Sequence, residues 1–183
     1  MIVLEGPDGS GKTSLLTHLQ KRFPYIDTHE RFSTSEGGPV DSLDIRVATD
    51  MNSMWSRKPM FYDRHPFISE FIYGPILRSE IKDGLNRIEM RSFRQAFFND
   101  SLIILCLPPA YIVDNNVRSD TVQMDGVLSH IGEIYNSYHA FHKHMKFPND
   151  NLVWYDYTQH TTEYVEDQIS SYHQRKAFER GFH

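Results

Sequence analysis

The sequence predicts an α/β fold with three layers, in which a five-stranded parallel sheet is covered by helices on both faces. Three observations lead to this prediction. Short apolar runs alternate with amphipathic helical patterns along the chain, as they do where crossover helices connect parallel strands. The first apolar run leads through a glycine-rich turn directly into a helical pattern. A length of 183 residues fits one domain, so we expect residues 1–183 to form a single unit.

Five segments have the composition and length of strands. The first, Met1–Glu5, is an apolar run of the kind that a buried strand needs. The third, Pro59–Tyr62, leads straight into polar residues, and the fourth, Leu102–Leu107, is ended by two prolines. The predicted strands are 1–5, 25–28, 59–62, 102–107 and 151–157.

The segments between the strands carry helical patterns. In the first of them, Leu15, Leu16 and Leu19 fall on one helical face. The composition of 33–39 predicts a loop, and a second loop, 111–125, is expected to form a short lid after the fourth strand. The predicted helices are 12–22, 41–56, 67–80, 86–98, 126–146 and 161–178.

Charge and composition narrow the class of protein. The formal net charge of −5 argues against a protein whose main partner is nucleic acid, because such proteins usually present a basic surface. No apolar run approaches the length of a membrane span, and the first strand leaves no room for a signal peptide. The single cysteine, Cys106, lies in an apolar run and is expected to fill the core. We therefore expect a cytoplasmic protein with no membrane partner.

The most informative feature is the segment Gly6–Thr13, which matches the pattern G-x-x-x-x-G-K-[ST] in full. Glycine allows successive backbone N–H groups to converge on phosphate oxygens, and the N-terminus of the following helix adds partial positive charge. Lys12 is expected to reach the β- and γ-phosphates of ATP, and the Thr13 hydroxyl to bind Mg²⁺. The predicted nucleotide-binding residues are Gly6, Asp8, Gly9, Ser10, Gly11, Lys12, Thr13 and Ser14.

A second polar group follows the third predicted strand. Asp63 at its carboxyl end is placed to bind Mg²⁺ or to take the proton of an attacking hydroxyl. Arg64 is placed to hold an anionic acceptor or the transferring phosphoryl group. The alternative is structural, since an Asp–Arg pair can also cap the helix that starts near Pro66.

Two motifs resemble a known family. The segment Glu5–Thr13 resembles the opening of bacterial-type thymidylate kinases, and Asp63–His65 resembles the Asp-Arg-Tyr/His motif of those enzymes and of herpesvirus-type thymidine kinases. The distance from Asp63 to Tyr73 is more similar to that in the viral nucleoside kinases. The resemblance implies a P-loop NTPase fold and transfer of the ATP γ-phosphoryl group to a deoxynucleotide or deoxynucleoside. It also implies that Asp8 lies towards the acceptor sugar.

The same resemblance suggests further residues and partners. Glu30 follows the second strand and is a second candidate for the general base, and Arg118 stands where a lid arginine would close over the phosphates. Phe67, Tyr73 and Arg91 are candidates for binding the acceptor base, since thymine-like rings favour aromatic walls with a few hydrogen-bonding groups. Related kinases are often homodimers, and a compact lid would suit a phage member of the family.

Two other functions stay open at this point. The first keeps the chemistry but transfers phosphate to 5-hydroxymethyluracil within DNA, as some phage relatives of the thymidylate kinases do. The second is a nucleotide-binding switch or ATPase without an acceptor. The chain has no switch-like Asp-x-x-Gly at a strand end and no Asn-Lys-x-Asp signature of guanine binding, which disfavours the switch.

Overall fold

The strands form one sheet in which every pairing is parallel. The computed structural model describes residues 1–34, 38–54, 58–82, 84–119, 126–145 and 151–179. The strand order is β2-β3-β1-β4-β5, so the first strand is central, and Leu4 lies opposite Asp63 on one side and Ile104 on the other. The strands are β1 (Ile2–Glu5), β2 (Asp27–Thr28), β3 (Met60–Asp63), β4 (Leu102–Cys106) and β5 (Leu152–Tyr155). The predicted five-stranded parallel sheet is confirmed.

Helices cover both faces of this sheet, which gives the three predicted layers. A single turn of 3-10 helix, Ile88–Met90, precedes the fourth helix, where the sequence predicted one continuous helix over 86–98. The helices are α1 (Lys12–Arg22), α2 (Leu43–Ser53), α3 (Pro66–Arg78), α4 (Arg91–Asp100), α5 (Ala110–Ser119), α6 (Val127–His144) and α7 (Thr162–Glu179). None of the helices in the described part of the chain is both long and apolar enough to cross a lipid bilayer.

Side-chain alternation along β1 divides the core into two halves. Val3 packs with the residues under α2, α3, α4, α5 and α6, whereas Ile2 and Leu4 pack with those under α1 and α7. Because both faces of β1 are buried, the strand has to be apolar throughout except where it reaches the end of the sheet. At that end lies Glu5, a fully buried carboxyl group directly before the glycine loop.

The largest difference from the sequence prediction concerns the lid. Residues 110–119 form helix α5 instead of a loop, and 120–125 lie outside the described residues. The cause is an apolar stripe one helical turn long: Val113 and Val117 are buried four residues apart, and α5 packs on α6. The same stripe lies close to the glycine loop, since a Cβ atom on Gly9 would come within 3.0 Å of Val117.

Candidate active site

The glycine loop lies between β1 and α1, and its backbone leaves no space for larger residues. Gly6 has a φ angle of +139°, and a Cβ atom there would lie 2.2 Å from the carbonyl oxygen of Cys106. Gly11 has a φ angle of +84° and is the residue before the first turn of α1. The left-handed backbone and close approach to β4 therefore require glycine at these positions.

The Lys12 ammonium group folds back over this loop. Its Nζ atom donates to the carbonyl oxygen of Pro7 at 2.6 Å and to Oγ of Ser10 at 3.4 Å. Burial, together with repulsion from the Arg64 guanidinium, lowers the pKa of Lys12 to about 8. A bound polyphosphate would add negative charge beside this group and so favour its charged form.

Two clefts open at the carboxyl ends of β1 and β3. The first, which we call the loop cleft, has a volume of about 570 Å³. Its lining residues come from the glycine loop, from the ends of β2 and β3 and from α5: Asp8, Gly9, Ser10, Gly11, Lys12, Thr13, Ser14, Arg31, Asp63, Arg64, Asn116 and Ser119. Open α/β sheets usually bind ligands at this end of the strands.

The second cleft, which we call the β3 cleft, has a volume of about 250 Å³ and extends from the end of β3 along α3. Its walls combine rings and hydroxyl groups with three arginines and three acids: Asp8, Arg31, Phe32, Ser33, Thr34, Pro39, Leu43, Asp63, Arg64, Pro66, Ser69, Glu70, Tyr73 and Arg78. Four residues, Asp8, Arg31, Asp63 and Arg64, line both clefts. The two clefts therefore meet at the residues that follow β1, β2 and β3.

Arg64 connects the two sides of this junction. Its Nη2 atom donates to Oδ1 of Asp8 at 2.9 Å, to the Tyr73 hydroxyl at 2.8 Å and to the carbonyl oxygen of Gly6 at 3.2 Å. The guanidinium carbon lies 4.8 Å from the centre of the Tyr73 ring, and the buried Nε atom makes no hydrogen bond within the described residues. The backbone of Arg64 is left-handed, with a φ angle of +68°. Strained backbone of this kind often occurs at functional sites.

Asp8 is ionised by its surroundings. Burial alone would raise the pKa of its carboxyl group, but the positive charges of Arg64 and Lys12 outweigh that effect and lower the pKa to about 2. The Tyr73 hydroxyl also donates to Oδ2 of Asp8 at 2.9 Å. Asp8, Arg64 and Tyr73 are thus connected to one another by hydrogen bonds on the wall of the β3 cleft. Asp8 and Arg64 carry opposite charges.

Asp63 pairs with an arginine that the sequence prediction missed. Arg31 follows β2, and its Nη2 atom contacts Oδ2 of Asp63 across the entrance of both clefts. The Asp63 side chain is 11% exposed and that of Arg31 59% exposed, so the carboxylate is mostly buried and its partner faces solvent. The position of His29–Phe32 directly after a strand could have indicated Arg31. The sequence prediction chose Glu30 from this segment instead. Glu30 is exposed and lines neither cleft.

Three other predicted site residues lie away from the clefts. Phe67 is 2% exposed and packs against the rings of His65 and Phe97, because its helical phase directs it at the sheet. Arg91 is exposed at the start of α4, and neither residue forms part of the cleft walls found among the described residues. Arg118 is exposed on α5, outside those walls, and its Nε atom donates to Oδ2 of Asp114 at 2.8 Å.

Glu5, at the end of β1, forms hydrogen bonds that connect the elements around the clefts. Its carboxyl oxygens accept from the backbone N–H of His65 at 2.7 Å and from the Tyr138 hydroxyl at 2.9 Å. Burial raises the pKa of Glu5 and outweighs the hydrogen bond from His65 and the nearby positive charge of Arg64, so that the pKa is about 7. Glu5 therefore ties the end of β1 to the start of α3, where Asp63 and Arg64 stand.

Thr13 and Asp63 both line the loop cleft and provide one hydroxyl and one carboxylate oxygen. Mg²⁺ usually keeps several waters and binds few protein oxygens together with substrate phosphates, so this pair fits a magnesium ion that arrives with a nucleotide. No group of three or more His, Cys, Asp or Glu side chains suited to a metal occurs within the described residues. The donor set therefore does not fit a metal bound by protein ligands alone.

No protein-family model and no curated protein matches the chain in sequence. Solved structures match it in fold. The YorR protein of Bacillus subtilis, in complex with phosphorylated GDP, gives a TM-score of 0.64 at 17% identity over 97% of both chains. Deoxyadenosine kinase from M. mycoides with dCMP and dCDP gives 0.59 at 12% identity, over 93% of this chain and 98% of that chain. With dATP bound, the same kinase gives 0.57 at 11% identity, over 92% and 98%. The chain therefore shares its fold with the YorR protein and with deoxyadenosine kinase.

Proposed function

We propose that the protein is a kinase that transfers the γ-phosphoryl group of ATP, with Mg²⁺, to a thymidine-type deoxynucleotide or deoxynucleoside. The observation that carries this proposal is the junction of two clefts at Asp8, Arg31, Asp63 and Arg64. A nucleotide-binding switch or a simple ATPase needs only the loop cleft. A second cleft that opens onto the same charged residues supports an acceptor beside the terminal phosphate.

The loop cleft would bind the triphosphate. The N–H groups of residues 9–13 and the Lys12 ammonium group would contact phosphate oxygens, and Thr13 would bind Mg²⁺. Phosphoryl transfer needs aligned oxygens and compensation of charge more than covalent help from the protein. Arg64 is near enough to both clefts to compensate charge on the transferred group.

The β3 cleft would bind the acceptor. Asp63 would take the proton of the attacking oxygen or share the Mg²⁺ ion, and Asp8 would face the acceptor sugar. Phe32, Pro66 and Tyr73 provide apolar and aromatic walls, which suit a flat base. Arg31 is exposed enough to leave Asp63 and contact an acceptor phosphate, which supports a monophosphate over an unphosphorylated nucleoside.

A transfer experiment separates the candidate acceptors. The protein is incubated with γ-labelled ATP, Mg²⁺ and, in separate reactions, thymidine monophosphate, thymidine, the other deoxynucleoside monophosphates and DNA containing 5-hydroxymethyluracil. We expect label in thymidine diphosphate, or in thymidine monophosphate if the nucleoside is the substrate. Lys12→Ala should abolish transfer, and Arg46→Ala, an exposed arginine on α2, should not change it. Label only in DNA, or ATP hydrolysis that no acceptor stimulates, would overturn the proposal.

A further inference from the structure

A buried polar cluster lies behind the β3 cleft and takes no part in the chemistry proposed above. At its centre is Asp50 on α2, which is only 5% exposed. Its Oδ1 atom lies 2.9 Å from Nε2 of His29, and the Tyr62 hydroxyl donates to the same carboxylate at 3.1 Å. Nε2 of the fully buried His65 lies 4.0 Å from Oδ2. A buried carboxylate needs such partners, because an unpaired one would strongly destabilise the fold.

His29 connects this cluster to the wall of the cleft. Its ring stacks between Tyr62, at 4.6 Å and 16°, and Phe32, at 5.1 Å and 20°. Its Nδ1 atom lies 2.6 Å from the carbonyl oxygen of Glu30, so both ring nitrogens face acceptors. Phe32, one step further on, is itself part of the cleft wall.

The strand that carries this wall is short. β2 contains only Asp27 and Thr28, both exposed, and it is an edge strand paired with β3 alone. The pairing continues for one more bond, from the N–H of His29 to the carbonyl oxygen of Phe61 at 2.8 Å. A two-residue edge strand gives little hold on the residues that follow it. Residues 32–34 also pair with 38–40, through the N–H of Thr34 to Gly38 and the N–H of Val40 to Phe32. Contacts outside the sheet are still needed to hold these paired residues beside β3.

We propose that Asp50 is a positioning residue for the acceptor: through the His29 ring it fixes the segment 29–34, whose Arg31 and Phe32 form one wall of the β3 cleft. This inference rests on the proposed function in treating that cleft as the acceptor site. Asp50 lines neither cleft, so it acts on the acceptor site through the residues that it contacts, and among these His29 leads to the cleft wall at Phe32. Anchoring of the segment 29–34 beside β3 places Arg31 within reach of Asp63.

The test compares Asp50→Asn with Asp44→Asn, an aspartate on the same helix whose Oδ1 accepts from the backbone of Ile45. Hydrogen exchange is measured at the amides of His29 and Thr34, which donate to Phe61 and Gly38. In Asp50→Asn we expect these amides to exchange about tenfold faster, the effect of one lost buried hydrogen bond, while residues 2–5 of β1 keep their protection. The Michaelis constant for the acceptor should rise by about tenfold, with kcat and the constant for ATP little changed. Asp44→Asn should resemble the wild type.

A second variant guards against misfolding of the first. His29→Phe keeps an aromatic ring in the stack but removes both hydrogen bonds, and it should reproduce the faster exchange at Thr34. Unchanged exchange at Thr34 in both variants, or faster exchange spread equally over β1, would overturn the positioning role. A wild-type protein that phosphorylates none of the acceptors counts against the proposed function alone, since the exchange comparison still decides this inference.

Discussion

Arg64 combines a strained backbone with a side chain at the junction of the two clefts, and two substitutions separate these properties. Arg64→Ala and Arg64→Gly both remove the guanidinium group and its contacts with Gly6, Asp8 and Tyr73. They differ only in the backbone. At a φ angle of +68°, alanine keeps the left-handed strain that arginine carries, and glycine relieves it.

The expected difference in stability follows from two opposing effects. A left-handed residue other than glycine costs about 1–2 kcal/mol. Glycine makes the unfolded chain more flexible, which costs about 0.4–1 kcal/mol. Arg64→Gly should therefore be more stable than Arg64→Ala by about 1 kcal/mol, which corresponds to about 2–4 °C in melting temperature for a chain of this length. Both variants should lose phosphate transfer by about 10³-fold or more, the usual effect of removing an arginine that stabilises the transferring group.

The assays are urea denaturation of each variant and initial rates of transfer to the acceptor that the wild type uses. An Arg64→Ala protein as stable as Arg64→Gly would refute the strain at this position. Transfer by either variant within tenfold of the wild-type rate would refute the proposed role of the side chain.

Three further predictions concern neighbouring residues. Lys12→Ala should lose transfer in the labelled-ATP assay and keep its thermal unfolding transition, because the ammonium group contacts only the loop itself among the bonds described. Asp63→Asn should lower kcat by about 10²–10⁴-fold and change the Michaelis constant for ATP little, since a proton acceptor acts in the transition state. Glu5→Gln should remove a pH dependence of stability: the folded protein keeps the Glu5 proton up to about pH 7, whereas the unfolded chain releases it near 4.5, so wild-type stability falls as the pH rises through this range. The fall should be on the order of 3 kcal/mol by urea denaturation, since one pKa unit corresponds to about 1.4 kcal/mol.

Each of these predictions has a result that contradicts it. Normal turnover in Lys12→Ala would mean that the glycine loop does not bind the transferred phosphate. A loss of stability with normal turnover in Asp63→Asn would support a purely structural role at the start of α3. Equal pH profiles for the wild type and Glu5→Gln would show that Glu5 stays ionised in the folded protein.

The fold and the glycine loop could be predicted because their signals are local. Four of the five strands, β1, β3, β4 and β5, lie in continuous apolar runs, and the residues expected to bind phosphate are consecutive in the chain. The same is true of α1, whose observed bounds equal the predicted 12–22. Helix α5 was missed because its apolar stripe, Val113 and Val117, spans one turn within a polar sequence, and a stripe this short becomes visible only when α6 covers it.

The wall of the β3 cleft could not be predicted because it depends on phase and on contacts between distant residues. Phe67 and Tyr73 stand six residues apart on one helix, so they point in different directions, and the sequence does not tell which of them faces the sheet. Glu30 and Arg31 follow a strand of only two residues, and adjacent side chains point to opposite sides of the backbone. The sequence alone therefore does not tell which of the two faces the cleft. Here Arg31 is the residue that reaches Asp63.

The most direct test is a crystal structure with a bisubstrate analogue, in which adenosine and thymidine are joined by a chain of phosphates, together with Mg²⁺. The account predicts density for the phosphates along residues 9–13, for the ion beside Thr13 and Asp63, and for the thymidine in the cleft beside Tyr73 with Arg64 against the phosphate chain. An analogue held only at the glycine loop, with its thymidine in solvent or on the other face of the sheet, would contradict it.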